Sequence, residues 1–249
     1  MISPKNIRKL WVVVFFCIQC VLCRSIFAEK WTVVTHPNYP PYNYKDKSGQ
    51  PAGLDTELVR AVLDHLKIDY KIVFVPWSRV VHMTEQNELD LAYQFKSKPE
   101  RREKYLLVGP LRSGKTVFAV KKASKIKDYN GLAGLQAYSV GMNLGYSYGT
   151  AFDDARQIKK TAVKTNEQLI EMLVLGRVEI IIGDLHTLTF AAKQMGKYND
   201  IRFLPSIYQE FDRYVAVPKN RAANAGWFDH GLNTLRETGE YDKIMDKWR

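Results

Sequence analysis

Cysteine is confined to the extreme N-terminal part of this chain. Its three cysteines, Cys17, Cys20 and Cys23, all precede residue 24 of 249. Disulfides, cysteine-based metal sites and thiol nucleophiles are therefore excluded from everything downstream, where stability has to come from a packed core. Histidine is scarce too. His36, His65, His82, His186 and His230 are dispersed, without an H-E-x-x-H or an i, i+4 pair that would put two imidazoles on one helix face. No G-x-S-x-G elbow marks a serine nucleophile. There is no internal repeat and no low-complexity tract, and neither a metal nor a cofactor is expected. Acid is in deficit, with 26 Asp and Glu against 37 Lys and Arg, a formal charge of +11. The basic residues are scattered, whereas nucleic-acid binding wants them gathered on one face beside a recognisable motif, so no nucleic-acid partner is expected. What remains is a general attraction to anions.

One long apolar run is present. Lys5, Arg8 and Lys9 precede "LWVVVFFCIQCVLC" (10–23), and "SIFA" (25–28) places a small residue, Ala28, before Glu29. The run is shorter than the roughly 20 residues of a membrane span, and Val21–Leu22 before Cys23 do not suit a lipid-modified cysteine. Residues 1–28 read as a cleaved signal peptide, which implies a periplasmic protein. Their four basic residues have no acid among them, so cleavage lowers the formal charge to +7.

The remaining 220 or so residues alternate strand and helix patterns, the signature of α/β layers. Strands are predicted at 30–36, 70–75, 89–95, 114–122, 138–143, 161–165, 178–183, 200–204 and 213–219. Helices are predicted at 54–68, with Asp55 as N-cap, at 78–88 started by Ser78, and at 147–158, 166–176, 184–195, 225–239 and 240–248. Two β segments near 117–121 and 213–218 mark passages between one lobe and another.

"GPLRSGKT" (109–116) matches the phosphate-binding pattern G-x-x-x-x-G-K-[ST] letter for letter. That loop works only where it opens a helix, whose N–H groups cradle phosphates. Here "TVFAVKK" follows, which is strand-like, so nucleotide binding is not expected. The informative residues are instead aromatics and charges at strand–helix junctions, where α/β folds place ligand sites. Tyr39, Tyr42 and Tyr44 lie in the first loop, Trp77 follows a strand, and Tyr93 and Phe95 end another. Tyr146, Ser147 and Tyr148 open a predicted helix, and Asp184 follows "VEIIIG". As a set they describe a stacking cleft.

"YPPYNYKDKSGQPAGLDTELVRAV", "VPWSRVV", "ELDLA", "KPERREKY", "NGLAGLQAYSVGMNLGYSYG", "LVLGRVEIIIGD" and "GEYDKIMDKW" follow one another in an order that resembles the family 3 extracellular solute-binding proteins. The resemblance covers essentially the whole chain after residue 28. It implies a type II-like periplasmic-binding-protein fold of two α/β lobes, each a β-sheet flanked by helices, joined by a two-strand hinge. Lobe one is expected at 29–118 plus 219–249 and lobe two at 119–218. It further implies a monomer that binds a small, amino-acid-like solute carrying a carboxylate, and delivers it to a membrane ABC permease without catalysis.

Carried over by position, the ligand-stacking aromatic falls on Tyr39 and the residue facing it on Trp77. The carboxylate-pairing arginine falls on Arg101, the helix-opening hydroxyl on Tyr146–Ser147, and the acid that holds the ligand amine on Asp184; Tyr93 joins the expected ligand-binding residues from the strand-end aromatics. Arg79, Lys96, Lys98 and Tyr42 are further candidates. The chemistry agrees, because an arginine fork grips a carboxylate through two parallel bonds. One departure stands out. Lys96 and Lys98 occupy positions where the family usually has Ser or Thr, which points to a more anionic ligand or a lost one. A dehydratase- or transglycosylase-like enzyme and a ligand-sensing adaptor are the rival readings on the same scaffold.

Overall fold

The structure is a computed structural model and describes residues 30–248; the expected signal peptide lies outside them. Apolar, β-branched segments build β1 (Trp31–Thr35), β5 (Tyr70–Phe74) and β6 (Leu91–Phe95), and the proline-punctuated first loop folds into a small sheet of β2 (Asn38–Tyr39), β3 (Asn43–Lys45) and β4 (Pro51–Ala52). Between and after them come α1 (Leu54–His65), α2 (Trp77–Glu85) and the short α3 (Pro99–Lys104). Then follow β7 (Tyr105–Lys121), the single turn α4 (Gly131–Gly134), β8 (Ser139–Asn143), α5 (Thr150–Asp153), β9 (Lys159–Val163), α6 (Asn166–Val174), β10 (Ile180–Asp184) and α7 (Leu185–Gln194). The chain ends with β11 (Ile201–Pro218), α8 (Ala222–Glu237) and α9 (Glu240–Lys247).

Eight strands form one sheet in the order β5-β1-β6-β11-β7-β10-β8-β9. β1 pairs in parallel with β5 and β6, and β8 in parallel with β9 and β10, while β7 and β11 run antiparallel to each other and to their outer neighbours. A parallel strand needs cover on both faces, and both lobes supply it. Leu58, Val62 and Phe228 pack one face of the β1 region, and Val80, Phe95 and Ala216 the other. Around β10, Phe118, Phe152 and Ile182 form one core while Leu169, Ile181 and Leu188 form its counterpart. The two-lobe α/β architecture is thus as the sequence implied.

The crossings differ from the sequence reading. β7 and β11 are single strands of 17 and 18 residues, each about 55–60 Å long at some 3.3 Å per residue. The segments 200–204 and 213–219, predicted as separate strands, are the two ends of β11. The phosphate-loop letters lie inside β7 rather than at a helix start, and their glycines have packing reasons. Gly109 sits at φ +118, where a Cβ would meet the Leu111 backbone, and a Cβ on Gly114 would strike the Phe211 ring at 2.6 Å. Lys115 points outward to Glu210, 3.8 Å away.

Three local expectations are corrected. The predicted helix over 147–158 shrinks to Thr150–Asp153. The Asp153 carboxylate accepts from the Ser147 hydroxyl at 2.6 Å and the Tyr148 N–H at 3.0 Å, so a side chain holds the preceding turn in a non-helical form. Asp55 is not a cap: α1 starts after Gly53, and Asp55 lies within its first turn, fully buried against Arg112. Ser78 does not start α2 either; Pro76 precedes it, and the helix begins at Trp77.

Candidate functional site

A cleft of about 510 Å³ opens where the two lobes meet the crossing strands. Tyr39 and Trp77 stand on the lobe-one side with Lys96, Lys98 and Arg101. Asn143, Tyr146, Ser147 and Asp184 line the lobe-two side, and Thr116, Phe211 and Arg213 form a floor from β7 and β11. Six of the seven residues first expected in the site, Tyr39, Trp77, Arg101, Tyr146, Ser147 and Asp184, are therefore brought together.

Asp184 ends β10 and caps α7. Its Oδ1 accepts the Thr187 N–H at 2.9 Å and the Tyr42 hydroxyl at 2.8 Å. Tyr42 belongs to the lobe-one core, so the second bond ties the lobes together. Oδ2 is buried with no partner among the described residues, and a lone buried carboxylate oxygen wants a cationic donor. The Tyr42 hydroxyl keeps its proton, because burial pushes its pKa well above the ordinary phenol value and the Asp184 charge adds to that. Arg112 works in the opposite direction, its guanidinium 3.2 Å over the Tyr42 ring. Arg112 itself is held by Asp55, with the Nε–Oδ1 contact at 2.5 Å and both side chains fully buried.

Arg213 is the cation that the sequence did not single out. It is 8 % exposed, its Nη1 has no hydrogen-bond partner among the described residues, and its guanidinium lies 4.4 Å over the Phe211 ring and 6.0 Å from that of Tyr39. Arg101 is better tethered. Its Nη1 donates to the Lys96 carbonyl at 3.0 Å, and the guanidinium sits 5.3 Å from the Phe95 ring and 5.8 Å from Trp77. Those two rings are 4.9 Å apart.

The strand pairing explains this arrangement. Phe95 pairs with Tyr214 and Tyr93 with Val215, which leaves Gln94 as an extra residue in β6, at φ +78. Such a bulge flips the alternation of faces. Phe95 drops into the core beneath Trp77, and Gln94 turns to the cleft and donates to Asp55 at 3.2 Å.

Other candidates are placed differently. Tyr93 is not in the cleft; it points to the α1 side of the bulged strand, fully buried, with its hydroxyl 2.8 Å from that of Thr56. Tyr42 stands behind the wall and acts on the cleft through Asp184. Arg79 is on the exposed face of α2 and does not line the cleft, because Trp77 takes the inward position of that turn. Lys96 and Lys98 do line it. Tyr146 and Ser147 sit in an exposed turn rather than at a helix N-terminus, so no fan of free helical N–H groups stands behind them. Gln94, Asn143, Phe211 and Arg213 were missed; Arg213 begins a segment read only as a crossing strand, and Phe211 falls between the two segments read as separate strands.

The model of the bacterial extracellular solute-binding proteins, family 3, matches residues 31–249. The chain is 23 % identical to an arginine-binding periplasmic protein of Mannheimia haemolytica, over 97 % of this chain and 98 % of that one. It is 26 % identical to a probable amino-acid ABC transporter-binding protein of Haemophilus influenzae, over 87 % and 83 %. Among solved structures it superposes on an ancestral cationic amino acid solute-binding protein with a TM-score of 0.73, at 24 % identity, covering 88 % of this chain and 95 % of that one.

Proposed function

This chain belongs to the bacterial extracellular solute-binding proteins, family 3, and on that premise we propose that it captures an amino-acid-like solute with a carboxylate between its two lobes and hands it to a membrane ABC permease. The observation that carries this reading is a pair of unpartnered buried charges, Asp184 Oδ2 and Arg213 Nη1, in residues that line one cleft. An ammonium on the ligand would satisfy the first and an anionic group of the ligand the second, and burying either alone is costly. Arg101 is the second fork available to an anion, and Tyr39 with Trp77 would cover the ligand's apolar body. Because the cleft draws on both lobes, a ligand touching both favours the closed form.

Within the same proposal, residues 1–28 are a cleaved signal peptide, the mature protein acts in the periplasm as a monomer, and the lobes are 29–118 plus 219–249 and 119–218. The test is a thermal-shift screen of the protein against the twenty amino acids, with mass spectrometry of any ligand that co-purifies. At least one amino acid is expected to raise Tm, and an Arg101→Ala variant is expected to lose that rise while the ligand-free Tm stays within a few degrees. A flat screen with no co-purified amino acid overturns the reading.

A further inference from the structure

We propose that the cleft contains a second anion subsite, formed by Lys96 and Arg213 about the Phe211 ring, and that its ligand is an amino acid whose side chain carries a second carboxylate. This deepens the solute-binding reading above and rests on it. The argument is one of charge and partners. Among the described residues lining the cleft, Lys96, Lys98, Arg101 and Arg213 carry positive charge, and Asp184 is the one carboxylate. A simple amino acid brings one ammonium, which Asp184 can take, and one carboxylate, which Arg101 can take. Cations are then left over.

Two of them are poorly placed to be left over. Lys96 Nζ lies 5.4 Å from the centre of the Phe211 ring and Arg213 Cζ lies 4.4 Å from the same centre. Neither forms an ion pair of 4.0 Å or less with any described carboxylate, and Arg213 Nη1 has no hydrogen-bond partner among the described residues. Lys98, by contrast, is exposed and reaches Glu100 at 3.8 Å, and Arg101 is tied to the Lys96 carbonyl. A ring face attracts cations but does not neutralise two of them.

The strain shows in the charge state of Lys96. Its pKa is lowered to about 8, first by burial, then by Arg213, Lys98 and Arg101, with Asp153 pulling the other way. An anion seated between Lys96 and Arg213 would offset both the burial and the repulsion. A cationic side chain would add a fifth positive charge to the cleft. The ligand class is therefore a dicarboxylic amino acid, in contrast to the arginine named for the Mannheimia haemolytica relative.

The experiment is isothermal titration of the protein with glutamate, aspartate, glutamine, asparagine, arginine and lysine, repeated with Lys96→Ser and Lys96→Arg, each checked for a normal melting curve. Glutamate or aspartate is expected to bind at least about tenfold tighter than its own amide, an advantage that falls below about threefold in Lys96→Ser and returns in Lys96→Arg. The dicarboxylic ligand is also expected to drive proton uptake by the wild type between about pH 8 and 9, seen as a dependence of the heat on buffer ionisation, and lost in Lys96→Arg. The free protein has partly deprotonated Lys96 there and the complex re-protonates it. Equal or tighter binding of an amide, or of arginine or lysine, overturns the subsite and leaves the solute-binding reading standing. No binding by any of the six, together with a flat thermal screen of all twenty amino acids, overturns both.

Discussion

Asp184→Asn separates the ligand-facing half of Asp184 from its structural half. The amide oxygen can stay where Oδ1 accepts the Tyr42 hydroxyl and the Thr187 N–H, while an NH2 donor replaces the unpartnered Oδ2. The helix cap and the bond between lobes survive, and the charge facing the cleft does not. Removing one member of a buried charge pair costs about 2–5 kcal/mol, so amino acid affinity is expected to fall about 30- to 4,000-fold at 1.4 kcal/mol per factor of ten. The ligand-free Tm should move by no more than about 2 °C. Asp184→Ala behaves differently. It loses a cap worth about 1 kcal/mol and strands the buried Tyr42 hydroxyl for about 1–3 kcal/mol more. For a chain of this size about 2–4 °C of Tm goes with each kcal/mol, so the alanine variant should melt roughly 4–16 °C lower. Isothermal titration and a melting scan on both variants provide the two readouts. Wild-type affinity in Asp184→Asn, within about threefold, would refute the idea that Oδ2 meets a ligand cation.

Two further outcomes follow from the buried charge chain behind the cleft. Arg112→Met strips Asp55 of its partner at a fully buried position, a change worth about 3–5 kcal/mol, and should lower Tm by roughly 6–20 °C; adding Asp55→Leu should recover most of the loss, and an unchanged Tm in the single variant would show the pair to be idle. Tyr42→Phe removes the donor that links the lobes, about 1 kcal/mol, so affinity for the bound solute should weaken about fivefold and small-angle scattering of the free protein should report a larger radius; unchanged affinity and scattering would deny Tyr42 a role in closure.

Much of this was legible in the sequence, and the misses share a cause. The order of strands and helices follows from local periodicity, because each element buries one stripe or face; Tyr39, Trp77 and Asp184 stand at junctions next to strands, whereas Arg101, inside α3, was reached through the family resemblance of "KPERREKY". Asp55 looked like a helix cap because capping is a signal of a few residues' range, whereas the partner that claims its carboxylate, Arg112, is 57 residues away. Tyr93 was misplaced by the one-residue bulge at Gln94, which alternation alone does not reveal. Arg213 was passed over because its segment reads as a plain crossing strand; nothing local says that β11 there has the cleft on one side. The phosphate-loop letters were correctly discounted from their strand-like sequel, yet the reason for Gly114 is the Phe211 ring from the other crossing strand.

That last contact bears on why the crossing strands make a site as well as a hinge. Gly114 lets the Phe211 ring come close against β7, and the same missing Cβ leaves room for Asp184 Oδ2, which a side chain there would approach to 3.1 Å. Phe211 in turn carries Arg213 and Lys96 on its ring. One small residue on one strand thus makes room both for the ring that carries the cations and for the Asp184 carboxylate. Among the described charged residues that line the cleft, Arg213 stands on a crossing strand, while Lys96, Lys98 and Arg101 belong to one wall and Asp184 to the other. A ligand that engages Arg213 and Asp184 together would therefore span a crossing strand and the lobe-two wall, which ties its charge recognition to both.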